Sequence, residues 1–309
     1  MIPAAIDVAA AAARLAPYAP PTPLVQALLL SRELDCELYV KNETVSPIAS
    51  FKWRGALNDL LRDPRGVVTS STGNHGQGVA WAAKVANVPA HIFLPHGANP
   101  TKRAKIALLG ATIHDIGNDL DEAKSIAIDF ARDEGLRFID DGDSEGVIEG
   151  AGTVGLEIAN ALEHIDVVYV PMGSGSLASG VALGVKSRHP HARVIAVQAK
   201  GSPAMVESFH ARRAIERPID TIADGLVCRV PAQLALDLLI ANVDDAFTLD
   251  DAALLSAARS MALGAHILVE PSGAAGLAAA MREDVRGKRV VVIATGANIT
   301  AELFGRLHG

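Results

Sequence analysis

From Gly66 onward the chain alternates short β-branched runs with helical stretches: "GVVTSS", "HGQGVAWAAKVA", "AHIFLP", "PTKRAKIALLG", "TIHDIG", "DLDEAKSIAIDFARDEG" and "RFID". No other feature constrains the fold as much. Parallel strands cannot be joined by tight turns; they need crossovers, and helical crossovers cover both faces of the sheet they serve. A second set follows, with "VVYVPMG", the helical run after Gly175, "RVIAVQA" and "KRVVVIATGA". The pattern predicts an α/β protein with two parallel-sheet domains: a small one over residues 66–142, inserted into a large one made of residues 1–65 and 143–309. The acidic, turn-rich "IDDGDSEG" between the sets reads as an interdomain hinge. Its acids, Asp140, Asp141, Asp143 and Glu145, miss the calcium-loop spacing and are expected to be solvated.

A chain of 309 residues, 50% hydrophobic and 20% charged, can bury one large core or two linked ones. A net charge of -7 and 4% aromatic residues give no electrostatic or stacking footprint for nucleic acid. Cys36 and Cys228, the only cysteines, are too far apart in sequence for a C-x-x-C site, and a reducing cytoplasm suits them. The Ala-rich N-terminus lacks a basic leader and is interrupted by Asp7, so it reads as an amphipathic helix ending before "APPTP" rather than a signal or membrane span.

In open α/β sheets, ligands bind beyond the carboxyl ends of the strands, where helix N-termini present free N–H groups. Three loops fall at such ends. "SSTGNHG", Ser70 to Gly76, suits a carboxylate, or is an ordinary turn in which Ser71 or Asn74 caps the helix. "GSGSLASG", Gly173 to Gly180, has the composition of a phosphate cradle. Its Gly173-x-Gly175-x-x-Ala178 spacing also fits a loose dinucleotide fingerprint, but Gln198 stands where a ribose-binding acid is needed, which leaves a nicotinamide oxidoreductase as the weaker reading. "IATGAN" offers the Thr295 hydroxyl to a ring nitrogen or to its own turn. Upstream, "SFKWRGA" sets Lys52 between Phe51 and Trp53. A lysine partly withdrawn from water is available as a neutral amine, the form that attacks carbonyls.

Seven segments in order, "KNETVSPIASFKWRGA", "SSTGNHGQGVAWAAK", "GAGTVGLEI", "GSGSLASG", "TIADGL", "VEPSGAAGLAA" and "IATGAN", resemble the fold-type II pyridoxal-phosphate enzymes of the serine/threonine dehydratase and serine racemase group. The resemblance implies a tryptophan synthase β-like fold with pyridoxal 5'-phosphate as cofactor. It implies that Lys52 forms the Schiff base, Phe51 packs on the cofactor ring, and Asn74 bonds the phenolic oxygen. Gly173, Ser174, Gly175, Ser176 and Leu177 would wrap the phosphate, and Thr295 would face the pyridine nitrogen. The substrate carboxylate would dock on Ser71, Thr72, Gly73, Asn74 and His75. A neutral hydroxyl partner does not keep the ring nitrogen protonated as a carboxylate would, which favours β-elimination over transamination.

The implied activity is therefore an ammonia-lyase (dehydratase) acting on a threonine- or serine-like β-hydroxy amino acid, in a homodimer with no nucleic-acid or membrane partner. A serine-type racemase is the nearest alternative, and a non-catalytic carrier of the cofactor a more distant one. Racemisation needs an acid opposite Lys52; serine racemases have serine at the position of Thr72, which keeps a hydroxyl able to return a proton and so stands beside Lys52 as a catalytic candidate, but whose β-branch restricts χ1 and crowds the substrate. No metal is expected, because Gln198 and Lys200 to Ala204 replace the acids of metal-activated relatives. Two departures from the group stand out: Ser46-Pro47-Ile48-Ala49 replaces the usual Gln-Pro-Thr-Gly, and the His-Pro-Phe-type segment by Asp140 is missing.

Overall fold

The computed structural model describes residues 6–98 and 100–307. Among the described residues ten strands form two sheets: β1 (Leu24–Gln26), β2 (Glu37–Asn42), β3 (Val67–Ser70), β4 (Ala90–Leu94), β5 (Thr112–Asp115), β6 (Arg137–Phe138), β7 (Val167–Pro171), β8 (Arg193–Ala199), β9 (Asp245–Leu249) and β10 (Arg289–Ala294). One sheet has the order β1-β2-β10-β7-β8-β9 and the other β5-β4-β3-β6. All pairings are parallel except β1 with β2, an antiparallel edge.

Because both faces of the larger sheet are covered, its strands are apolar without alternation. Along β7, Val167 and Tyr169 pack into one core, with Val290 and Leu277, while Val168 and Val170 pack into the other, with Val181 and Ile158. The smaller sheet is lined in the same way, by Val67 and Ile92 on one side and Val68 and Phe93 on the other. The N-terminal helix is Val8–Leu15, capped by Asp7, whose carboxylate accepts from Ala10 N.

The Lys52–Arg62 helix is fixed by a buried ionic cluster. Arg54, 2% exposed, donates from Nε to Glu43 at 2.8 Å and from Nη1 to Glu157 at 2.6 Å and Thr153 at 2.9 Å. Lys41 completes it, donating to Thr22 O at 2.7 Å and to Glu157. Burial works against the Arg54 charge, yet Glu43 and Glu157 hold its pKa above the ordinary range. The helix also lies hard against the Asn74–Ala86 helix: a Cβ at Gly78 would meet Lys52 O at 2.9 Å. Only glycine allows that approach.

Candidate active site

The chain reverses between strand and helix at three places, and all three face one cavity of about 630 Å³. After β3, the chain enters the Asn74–Ala86 helix with Gly73 as N-cap and no side-chain cap. Neither Ser71 nor Asn74 therefore serves the capping role that the sequence left open. Gln77 N donates to Gly73 O at 3.2 Å, which leaves the preceding N–H groups of the first turn for an outside acceptor.

After β7, Gly173 to Leu177 lead into the Ser176–Lys186 helix. Gly175, at φ +94, caps this helix, and a Cβ there would strike Met205 at 2.7 Å and Leu239 at 2.9 Å. Glycine is required for both reasons. Ser179 N takes Gly175 O at 2.9 Å, so the earlier N–H groups are again left over for an anion.

After β10, Thr295 O accepts from Phe51 N at 3.0 Å, and Ser50 bridges Gly296, which sets Lys52 at the foot of the third loop. The turn before it is tight. Ser46 Oγ donates to Ser50 O and accepts from Ser50 N, both at 2.8 Å, and Ala49 takes φ +52. Ser46 and Ala49 are thus the altered contacts near the lysine.

The cavity collects every residue named from the sequence: Phe51, Lys52, Ser71, Thr72, Gly73, Asn74, His75, Gly173, Ser174, Gly175, Ser176, Leu177 and Thr295. Lys52 Nζ lies 4.8 Å from the Phe51 ring centre. His75 bridges Ile139 O (Nε2, 3.3 Å) and Asp141 (Nδ1, 3.3 Å). Gln198 stands away from this cavity with both amide ends used, accepting from Val206 N at 3.1 Å and donating to Leu226 O at 3.4 Å.

The acidic connector requires a correction. Asp141 is not a solvated hinge acid: its carboxylate pairs with Lys52 Nζ and accepts from Ser174 Oγ at 2.7 Å. Burial pushes its pKa up, but the charges of Lys52 and His75 outweigh burial and hold the carboxyl well below its usual range. Asp140 instead ties the loop together, accepting from Gly142 N at 2.8 Å and pairing with Lys124.

Two further residues stand outside the site residues read from the sequence. Glu270, which its place in "VEPSG" leaves open between a ring edge and the end of a strand, accepts from Asn74 Nδ2 at 2.7 Å. Asn298 donates to Asn74 Oδ1 at 2.6 Å and accepts from Lys105 at 2.8 Å. Together they fix both ends of the Asn74 amide. The final Asn of "IATGAN" was the available signal for Asn298.

The donor set suits a phosphorylated aldehyde: a primary amine, a helix N-terminus stripped of internal acceptors, and a hydroxyl at the opposite loop. The family model for the pyridoxal-phosphate dependent enzymes matches residues 15–296. The chain is 36% identical to the L-threonine ammonia-lyase of Thermotoga maritima over 93% of its length and 73% of the relative's. It is 31% identical to the L-threo-3-hydroxyaspartate ammonia-lyase of Saccharomyces cerevisiae over 99% of this chain and 97% of that one. Among solved structures, maize serine racemase superposes with a TM-score of 0.91 at 32% identity, covering 97% of this chain and 94% of that one.

Proposed function

The chain belongs to the family of pyridoxal-phosphate dependent enzymes, and from that premise we propose how its own residues carry out the reaction. It is a lyase of the threonine/serine dehydratase type, converting a β-hydroxy amino acid to a 2-keto acid and ammonia. The cofactor supplies an electron sink for the carbanion formed at the substrate α-carbon.

Lys52 would hold the cofactor aldehyde, and its amine is the base that would take the substrate α-proton. Gly173 to Leu177 bind the phosphate through the N–H groups of their turn, aided by the Ser174 and Ser176 hydroxyls. Asn74, held by Glu270 and Asn298, and the Thr295 hydroxyl would hold the cofactor ring between them. The N–H groups and hydroxyls from Ser71 to His75 receive the substrate carboxylate. The observation that carries this reading is the convergence of Lys52, the two helix N-termini and Thr295 on one cavity.

The relatives named above act on threonine and on 3-hydroxyaspartate, which supports a β-hydroxy amino acid as the substrate. Among the described residues no helix is long and apolar enough to cross a membrane, and two free thiols favour a reducing, cytoplasmic compartment. Homodimeric assembly follows from the resemblance, and residues 66–142 form the small domain in this reading.

The test is a panel of threonine, serine, 3-hydroxyaspartate and phenylserine, assayed together for keto acid, ammonia and chirality. Ammonia release that outpaces inversion of the α-carbon is expected. Thr72→Ser should raise racemisation and Thr72→Ala should retain elimination. Faster inversion than ammonia release would favour the racemase, and binding without turnover the carrier.

A further inference from the structure

A second cavity, of about 510 Å³, opens at the other end of the larger sheet, around the first residues of β7 and β8. It lies on the order of 17 Å, one five-residue strand, from the loop after Pro171. A volume of this size suits a small molecule. Its floor is Tyr169, 3% exposed, whose hydroxyl has no hydrogen-bond partner among the described residues. A phenol that opens onto the cavity is free to donate to a ligand there.

The charges at the rim divide into two groups. His164 is paired with Asp166, and Asp284 with Arg286, while Lys288 donates to Asp284 O at 2.7 Å. Arg188, Arg193 and Glu283, all exposed, also line the cavity and form no ion pair among the described residues. Both signs of charge are therefore unspent around one polar floor, with Ile165 and Pro190 supplying apolar wall. Burial, reinforced by Glu283, pushes the Tyr169 pKa up to about 12, so the phenol remains a neutral donor across the working range.

We propose that this cavity binds a free zwitterionic α-amino acid, with its carboxylate on Arg193 and Arg188 and the Tyr169 hydroxyl, and its ammonium on Glu283. A simple anion would leave Glu283 repelling it, and a simple cation would leave the two guanidinium groups doing the same. None of these residues belongs to the reaction centre, so the inference stands apart from the proposed chemistry.

The test uses the holoenzyme and L-leucine, which has no β-leaving group. Calorimetry measures total binding, and cofactor absorption reports occupancy of the active site. L-leucine is expected to bind a site that leaves the absorption unchanged, whereas 4-methyl-2-oxopentanoate, lacking the ammonium, and isopentylamine, lacking the carboxylate, do not fill it. Arg193→Gln and Glu283→Gln, both exposed positions, should each weaken this binding about tenfold with kcat/KM unchanged, and Tyr169→Phe should weaken it roughly threefold. The proposal is overturned if all leucine binding tracks the absorption change, if it survives the three variants, or if the keto acid binds as well as leucine.

Discussion

Asn74 Nδ2 donates to Glu270 Oε1 at 2.7 Å, joining the first turn of one cavity helix to a carboxylate that is 4% exposed. Burial raises the Glu270 pKa, with Asn74, Lys102 and Lys105 opposing it in part. A carboxyl whose folded pKa is raised contributes stability below its unfolded pKa and loses it as pH rises through the folded value. Ionised Glu270 therefore costs stability at neutral pH. Glu270→Gln, which keeps an acceptor for Asn74, should be more stable than the native protein near pH 7.5, and the gap should close toward about pH 4. Urea midpoints at the two pH values measure this; an equal gap at both would contradict it.

Asp141 competes with any anion at the phosphate cradle, because it takes the Ser174 hydroxyl and the Lys52 amine for itself. Asp141→Asn removes a like charge from the site. Titration of the apoprotein with pyridoxal phosphate, followed by absorbance, should show affinity rising on the order of tenfold. Weaker binding would mean that Asp141 helps to build the cradle rather than rivalling its ligand.

Ala49 holds φ +52 in the turn that ends at Lys52. An L side chain there is strained, and glycine is not. Ala49→Gly should stabilise the protein by about 0.5–1 kcal/mol, after allowance for the extra freedom glycine gives the unfolded chain. Denaturant unfolding detects a shift of that size; a loss of stability would show that the turn is relaxed as it stands.

Arg54 illustrates what a motif conceals. Removing it leaves buried Glu43 without its guanidinium and half-buried Glu157 with Lys41 alone, and breaking one partner from such a cluster costs roughly 3–5 kcal/mol. Arg54→Met should therefore lower the unfolding free energy by about that amount. A change below about 1 kcal/mol would place the cluster among ordinary surface pairs.

Those residues mark where the sequence is legible. Lys52, Gly175 and Thr295 sit in short runs whose chemistry is local, a lysine beside an aromatic, a glycine turn after a strand, a hydroxyl after a strand, so the letters point to the site directly. The parallel strands β3 to β8 and β10 announce themselves by apolar runs between helical stretches. β1, of three residues, and β9, "DAFTL", carry too little pattern to stand out. Asp141 was misread because its partner Lys52 lies 89 residues away, and Glu270 stayed open between a ring edge and a strand end because Asn74 lies 196 away. Among neighbours in sequence, each looks like a turn acid. Their roles come from tertiary contact, which spacing along the chain does not encode.

The account rests on Lys52 as the residue that holds the cofactor. Reduction of the holoenzyme with borohydride, followed by proteolysis and mass mapping, fixes the attachment point covalently. The expected result is a single pyridoxyl group on the peptide that contains Phe51-Lys52-Trp53, absent after Lys52→Ala. Label on Lys41, Lys102, Lys105 or any other lysine, or no retained pyridoxyl group, would contradict the account at its centre.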